Sequence, residues 1–126
     1  YNTMITGNDI AEYLWNKTVI MRDNWNKDTL YRELYKAIKD NRICVITDGK
    51  HIRTVGIYEV IPNKKELLFT ILASDISFSD VIKKGLTKIL NDNKQIDETW
   101  NITGKRKTIQ RDLVIPLLWI KRRYGI

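Results

Sequence analysis

The sequence predicts an α+β fold in which a mixed sheet of about five strands is flanked by helices, in the order ααβββαβα. Apolar residues follow a helical period up to residue 40, and β-branched runs joined by an Asp-Gly turn follow them. A third helical stretch then separates two strands, and such a connection favours a right-handed crossover between parallel strands. We therefore expect an antiparallel meander followed by a crossover strand.

Two helices are predicted before the sheet. The first covers residues 8–17, with Thr6 or Asn8 as its cap, and the second covers residues 29–40, with Asp28 as its cap. Each helix has apolar residues at helical spacing on one face; the members are Ile10, Ala11, Leu14, Leu30, Leu34, Ala37 and Ile38. We expect these two faces to pack on the sheet.

Strands are predicted over residues 42–47, 52–61 and 66–74. The turn Asp48-Gly49-Lys50 between the first two is a strong hairpin signal. The third strand contains few polar residues, which predicts a central position with both faces covered.

The remaining residues predict a helix, a strand and a helix. Ser77 or Ser79 caps a helix that runs to about residue 93, and a short strand covers residues 98–103. The final helix is predicted from about residue 105 to residue 123. Pro116 interrupts it, because proline either kinks a helix or starts a new one.

The composition is that of a globular protein, and residues 1–126 are expected to form a single domain. No apolar run approaches the ~18 residues that a transmembrane helix needs. The first residues also lack the basic start and apolar core of a signal peptide. These observations predict a protein of the cytoplasm, or of a particle assembled there.

Cys44 is the only cysteine and His51 the only histidine, so an internal disulfide and a zinc site built from His and Cys clusters are both excluded. Cys44 lies in an apolar run, which favours a buried and inert thiol. His51 lies beside the predicted turn, where we expect it to be exposed and not catalytic. No metal is expected.

Positive charge is concentrated in residues 105–126. This segment gives +6 of the net charge of +7, because its only acidic residue is Asp112 and its basic residues are Lys105, Arg106, Lys107, Arg111, Lys121, Arg122 and Arg123. Such a cluster predicts a surface that binds nucleic acid or, equally, an acidic protein. Trp100, Trp119 and Tyr124 could stack on bases. The apolar neighbours of Trp119 nevertheless favour a place in the core.

The predicted order of elements, together with the ending IKRRYGI at residues 120–126, resembles the GNAT (N-acetyltransferase-like) fold. The resemblance covers about residues 28–126 and is greatest to short, divergent GNAT-like proteins of bacteriophages. Those proteins often carry a Gly-Arg/Lys-Arg segment after the penultimate strand, which here is Gly104-Lys105-Arg106. The resemblance implies a viral protein, plausible as a virion component, located in the host cytoplasm or within the phage particle.

The chain departs from the family pattern where acyl-CoA would bind. Active members hold the pyrophosphate with a Gln/Arg-x-x-Gly-x-Gly/Ala turn, because backbone N–H groups must approach the phosphates closely. Residues 75–80 contain no glycine, and the carboxylates of Asp75 and Asp80 would repel a pyrophosphate. The family's general-acid tyrosine corresponds to Lys121, while Tyr124 lies directly before the glycine. Glu59 and Glu98 are the candidate bases.

Three functions therefore remain open. The first is a non-catalytic structural or interaction protein that binds other subunits of an assembly through a basic C-terminal helix and uses no cofactor. The second is an acyl-CoA-dependent N-acyltransferase with an atypical acetyl-CoA site, in which Glu59 or Glu98 acts as base and Tyr124 or Lys121 as acid. The third is a nucleic-acid-binding module.

Overall fold

A mixed sheet of five strands lies at the centre of the chain, with the strands in sequential order from β1 to β5. The structure is a computed structural model that describes residues 5–17, 26–106 and 111–126. The strands are β1 (Ile43–Asp48), β2 (His51–Ile61), β3 (Glu66–Ser74), β4 (Asn101–Arg106) and β5 (Arg111–Pro116). Only β3 and β4 are parallel. The predicted meander and crossover strand are confirmed.

Helices cover both faces of the sheet. They are α1 (Gly7–Lys17), α2 (Lys27–Lys39), α3 and α4 (Leu117–Tyr124). The helix α3 consists of three consecutive segments: Phe78–Asp80, a π-helical stretch Val81–Leu86, and Thr87–Asp92. A short 3₁₀ helix, Pro62–Lys64, connects β2 to β3. None of the described helices is long and apolar enough to cross a bilayer.

The helices form two layers with separate cores. The first layer is α1 and α2, which pack against Val55, Ile57, Ile71 and Ala73 on one face of the sheet. The second layer is α3 and α4, which pack against the other face; its buried residues include Cys44, Tyr58, Leu67, Ile102, Leu117 and Ile120. Because β3 contributes to both clusters, the prediction that this strand is covered on both faces is confirmed.

Side-chain caps fix the starts of the first two helices. Thr6 and Asp9 exchange hydrogen bonds before α1, with Thr6 N–H donating to Asp9 at 3.0 Å and Asp9 N–H donating to Thr6 at 3.2 Å. The cap of α2 is Asn26, whose side chain accepts from Thr29 N–H at 2.8 Å. The prediction of Asp28 as the cap is therefore wrong. Asp28 lies inside the first turn of α2, where a carboxylate complements the helix dipole.

The predicted final helix over residues 105–123 is wrong in its first half. β4 and β5 form an antiparallel hairpin that pairs Asn101 with Pro116 at one end and Arg106 with Arg111 at the other. The order of elements is therefore ααβββαββα. Cross-strand pairing outweighs the helical pattern, and β-branched residues at 114 and 115 suit a strand. Pro116 has φ −61° and precedes α4 directly, so it starts a new helix rather than kinking one.

Candidate functional site

The parallel strands β3 and β4 separate part of the way along their length. Their ladder contains only four pairs, from Glu66 with Asn101 to Phe69 with Gly104, although β3 continues to Ser74. A β-bulge lies at this point, because Thr70 is skipped between the pairs that β3 makes with Ile57 and Tyr58. The Thr70 hydroxyl donates to the Ile57 carbonyl oxygen at 3.3 Å. The separation opens a cleft at the carboxyl end of the parallel pair.

An apolar cavity of about 240 Å³ occupies this cleft, between the sheet and the second layer. None of its described lining residues carries a charge; they are Cys44, Ile46, Thr54, Gly56, Phe69, Thr70, Leu72, Phe78, Val81, Ile82, Gly85, Leu86, Ile89, Ile102, Thr103, Gly104, Ile115 and Ile120. Three of these residues are exposed: Thr70 and the apolar residues Leu72 and Phe78. An apolar cavity with exposed apolar residues in its lining has the character of a small-molecule site.

The π-helical segment of α3 lies against β1 on one side of this cavity. Gly85 lies at this contact, and a Cβ atom there would lie 3.5 Å from the Cys44 sulfur, an ordinary van der Waals distance. The Cys44 thiol donates a long hydrogen bond to the Gly85 carbonyl oxygen at 3.7 Å. Burial raises the pKa of the Cys44 thiol above its ordinary value, so the thiolate is disfavoured. The prediction of a buried thiol is confirmed.

The Thr103 hydroxyl is a buried polar group in the lining. Thr103 is 6% exposed, and its oxygen has no hydrogen-bond partner among the described residues. Thr103 pairs with Leu68 on one side and with Val114 on the other. It lies one pair before the end of the parallel ladder, where β3 and β4 separate. Sequence reasoning did not single out this residue, since its burial depends on both neighbouring strands.

The start of α3 is capped by its own residues. The Ser77 side chain accepts from Asp80 N–H at 3.2 Å, which confirms Ser77 as one of the two predicted caps. Asp75 lies near α1, where Lys17 contacts it at 2.6 Å and the Tyr13 hydroxyl donates to it at 3.1 Å. The hydrogen bond from Lys17 holds the pKa of Asp75 below its ordinary value. Asp75 therefore forms an ion pair that connects α1 to the end of β3.

The structure separates the candidate bases from the candidate acids. Glu59 is exposed and lies between Tyr58 and Val60, which both pack in the core of the second layer, so Glu59 is on the opposite face of the sheet. Tyr124 packs against that second core, and its ring meets the edge of Phe78 at 5.9 Å between centroids.

Glu98 and Lys121 are also placed away from a common centre. Glu98 is exposed in the turn before β4, two residues before Trp100, whose carbonyl oxygen accepts from Leu117 N–H at 2.9 Å. Glu98 therefore lies beside the start of α4, whereas Tyr124 lies at its end, about 12 Å along the axis. Lys121 is half-buried in the last turn, where its carbonyl oxygen accepts from Gly125 N–H at 2.9 Å.

Trp119 is on the surface, so the prediction that it belongs to the core is wrong. Its side chain is 53% exposed, whereas Leu117 and Ile120 take the buried positions of α4. Arg122 and Arg123, three and four residues further along, are exposed on the same side of the helix. We call Trp119, Arg122 and Arg123 the α4 surface. The spacing of Leu117, Ile120 and Tyr124 was the signal in the sequence that could have shown this orientation.

The charges of the α4 surface are not neutralised by neighbours. Within residues 5–17, 26–106 and 111–126, neither arginine forms an ion pair, and the helix sequence LLWIKRRY contains no acidic residue. Two cations and an exposed indole are therefore available to a partner.

The other predicted basic residues lie at the end of the β4–β5 hairpin where Arg106 pairs with Arg111. Lys105 and Arg106 end β4, and Arg111 begins β5, while Lys107 lies outside the described residues. This end of the hairpin points along the carboxyl direction of β3. The contact between Tyr124 and Phe78 brings the last turn of α4 to the same end of the sheet. Basic residues distant in sequence are thus placed at one end of the fold.

His51 is exposed at the start of β2, as predicted. In the part of the chain that the structure describes, no group of three or more His, Cys, Asp or Glu side chains is arranged to hold a metal ion.

Comparison of the chain with protein-family models, with curated proteins and with solved structures gave no significant match. The α+β class and the five-stranded mixed sheet rest on the structure itself, and the GNAT-like resemblance stays a prediction from the sequence.

Proposed function

We propose that this chain is a non-catalytic binding protein on a GNAT-like fold and that the α4 surface contacts a negatively charged partner. The observation that carries the proposal is the exposure of Trp119, at 53%, beside two arginines that have no ion pair among the described residues. Exposed tryptophan and arginine are the side chains that contribute most to binding energy in contact surfaces.

The arrangement around the cleft supports binding without acyl transfer. Residues 75–80 contain no glycine, and one of the first amides of α3, Asp80 N–H, donates to the Ser77 side chain rather than being left for a phosphate. Glu59 and Tyr124 lie on opposite faces of the sheet, although a base and an acid must reach the same reacting group. Under this proposal the partner is a subunit of an assembly or another polyanion, and membership of a phage particle stays a prediction.

Retention on heparin tests the α4 surface. The double variant Arg122→Ser/Arg123→Ser should elute at clearly lower salt than the wild type, because polyanion affinity depends on the local density of cations. The matched control is Lys36→Ser/Lys39→Ser, which removes the same net charge from α2 on the opposite face of the sheet. Equal shifts for the two variants would overturn the assignment of the contact surface.

Calorimetric titration with acetyl-CoA and CoA tests the absence of a cofactor site. We expect no heat at near-millimolar ligand. Binding at micromolar strength would replace this proposal with the acyltransferase below.

The cavity at the separation of β3 and β4 favours an N-acyltransferase as the second candidate, because it provides an uncharged space beside the start of α3. If acetyl-CoA binds, Gly56→Val should weaken it, since a side chain there would enter the cavity beside Leu72 and Phe69. If the variant bound acetyl-CoA with unchanged affinity, the cavity would not be the site where acetyl-CoA binds.

A further inference from the structure

We infer that the α4 surface binds single-stranded nucleic acid, with the indole of Trp119 stacked on a base and the guanidinium groups of Arg122 and Arg123 on the adjacent phosphates. This inference rests on the proposed function, which it narrows to one class of partner. It is carried by the juxtaposition, within about one turn of helix, of one exposed aromatic ring and two cations that have no ion pair among the described side chains.

The exposed ring is the feature that requires an explanation. Basic residues in the last turn of a helix complement its dipole and need no ligand. That account leaves out Trp119, which is 53% exposed while Trp100 is 5% exposed in the core of the second layer. An indole that gains little from burial in its own fold is suited to stacking, and every base presents a π-face to it.

The stacking geometry selects a single strand over a duplex. In a duplex the faces of the bases are covered by their neighbours, so an aromatic side chain on a helix surface can reach them only where bases are unstacked. The charges agree with this choice, because single-strand binding combines a stacking platform with cations that follow the backbone. Lys105, Arg106 and Arg111 lie in the strand ends of the β4–β5 hairpin at the same end of the sheet as the last turn of α4.

An acidic protein partner fits the same charges less well. The centre of a protein interface combines several packed apolar and aromatic side chains, with arginine the one charged residue that is enriched there. Trp119 is the one large apolar residue that α4 exposes, and it is followed by Arg122 and Arg123 rather than by further apolar side chains.

The test is the fluorescence anisotropy of a labelled 20-nucleotide thymidine strand, compared with a labelled 20-base-pair duplex, at ~50 mM salt. Trp119→Ala should weaken binding to the single strand about 5- to 150-fold, which is the loss of one stacked base. The aromatic control is Tyr35→Ala on α2, which removes a side chain that is 69% exposed and should leave the affinity unchanged. Trp119→Phe retains a ring and should lose much less than Trp119→Ala.

The salt dependence of binding distinguishes the contribution of the two arginines from that of the Trp119 ring. Removing two phosphate contacts should reduce the slope of log K against log salt by about 1.4 in Arg122→Ser/Arg123→Ser. Lys36→Ser/Lys39→Ser should leave the slope unchanged, and so should Trp119→Ala, because stacking releases no counterions.

Two outcomes of the anisotropy experiment would overturn the inference. Equal binding of duplex and single strand, or equal affinities of Trp119→Ala and Tyr35→Ala, would exclude stacking. If the heparin difference persists in either case, the proposed function stands and an acidic protein becomes the partner. If the heparin difference is also absent, both proposals fail.

Discussion

The first layer and α4 use basic side chains in different ways. Around the first layer, Lys17 contacts Asp75 at 2.6 Å, Lys27 contacts Glu12 at 3.3 Å and Lys36 contacts Glu33 at 3.7 Å. The basic side chains of α4, in contrast, form no ion pair within the described residues. Both regions also expose an aromatic residue, Tyr35 on α2 and Trp119 on α4.

This difference shows that exposure alone does not mark a contact surface. Tyr35 is more exposed than Trp119, and on its helix Lys36 has a carboxylate partner, whereas Lys39 forms no ion pair among the described residues. Exposed ion pairs contribute little to stability, so the pairs of the first layer mainly neutralise its surface. The charges of α4 have no ion pair among the described residues, so they are available to a polyanion. The predictions below test whether the two regions differ as described.

The largest expected effect concerns the orientation of α4. Ile120→Ala should lower the free energy of unfolding by about 2–5 kcal/mol, because Ile120 is fully buried and its loss leaves a cavity. Trp119→Ala should change the free energy of unfolding by only about 0.5 kcal/mol or less, as is usual for a surface substitution. Urea denaturation measures both. If the Trp119 variant were less stable than the Ile120 variant, Trp119 would face the core, and the α4 surface would not exist as described.

The second prediction concerns alkaline pH. Burial raises the pKa of the Cys44 thiol, so above the unfolded thiol's pKa of about 8.5 the unfolded chain loses a proton that the folded chain keeps. The free energy of unfolding should therefore fall as the pH rises, by up to about 1.4 kcal/mol per pH unit. Urea denaturation at pH 7.5, 8.5 and 9.5 would show this.

Cys44→Ala is the control for that experiment. It should flatten the dependence on pH in this range, whatever its effect at neutral pH. A wild-type slope that persists in Cys44→Ala would contradict this prediction and assign the alkaline loss to other groups, such as Tyr13 and Tyr58, whose pKa values burial also raises.

The third prediction concerns the first layer, where helix ends are fixed by caps. Asn26→Ala should destabilise the protein by about 1 kcal/mol, because the first turn of α2 loses the acceptor for Thr29 N–H. Asp28→Ala should cost less, since Asp28 interacts only with the helix dipole. Thermal unfolding compares the two variants, and the reverse order would restore Asp28 as the cap.

Replacing Gly85 and Gly125 with alanine is expected to have small effects on stability, and these should have opposite signs. Gly85→Ala should stabilise the protein by about 0.5–1 kcal/mol, because a Cβ atom there meets Ile46 and Cys44 at ordinary contact distances and alanine favours a helix. Gly125→Ala should cost about 1 kcal/mol, since Gly125 has φ +69°, a conformation that disfavours a Cβ atom. Differential scanning calorimetry would show opposite shifts of Tm; a loss in Gly85→Ala would mean that the cavity wall is tightly packed.

Local sequence patterns gave correct predictions where the structure of an element depends on its own residues. The apolar face of α1, the Asp-Gly hairpin and the apolar strand β3 were all predicted, because each pattern follows the period of its element. The prediction was wrong where a distant strand decides. Residues 111–115 carry a helix-compatible pattern, but pairing with β4 makes them a strand.

The candidate site shows the same division. The positive charge of residues 105–126 was read directly from the sequence, whereas the exposure of Trp119 depends on which face of α4 meets the core of the second layer. The bulge at Thr70 and the cavity beside it likewise arise from the register between β2, β3 and β4, which no single segment encodes.

The sequence by itself determined the fold class, the meander with its crossover strand, the burial of Cys44 and the concentration of charge in one segment. Composition and periodicity are local quantities, and these properties follow from them. Only the tertiary structure decided that the sheet ends in a hairpin, that β3 and β4 separate around a cavity, and that Trp119 lies on the surface with Arg122 and Arg123. These depend on strand pairing and on the packing of one helix face, which are fixed by contacts between residues far apart in the chain.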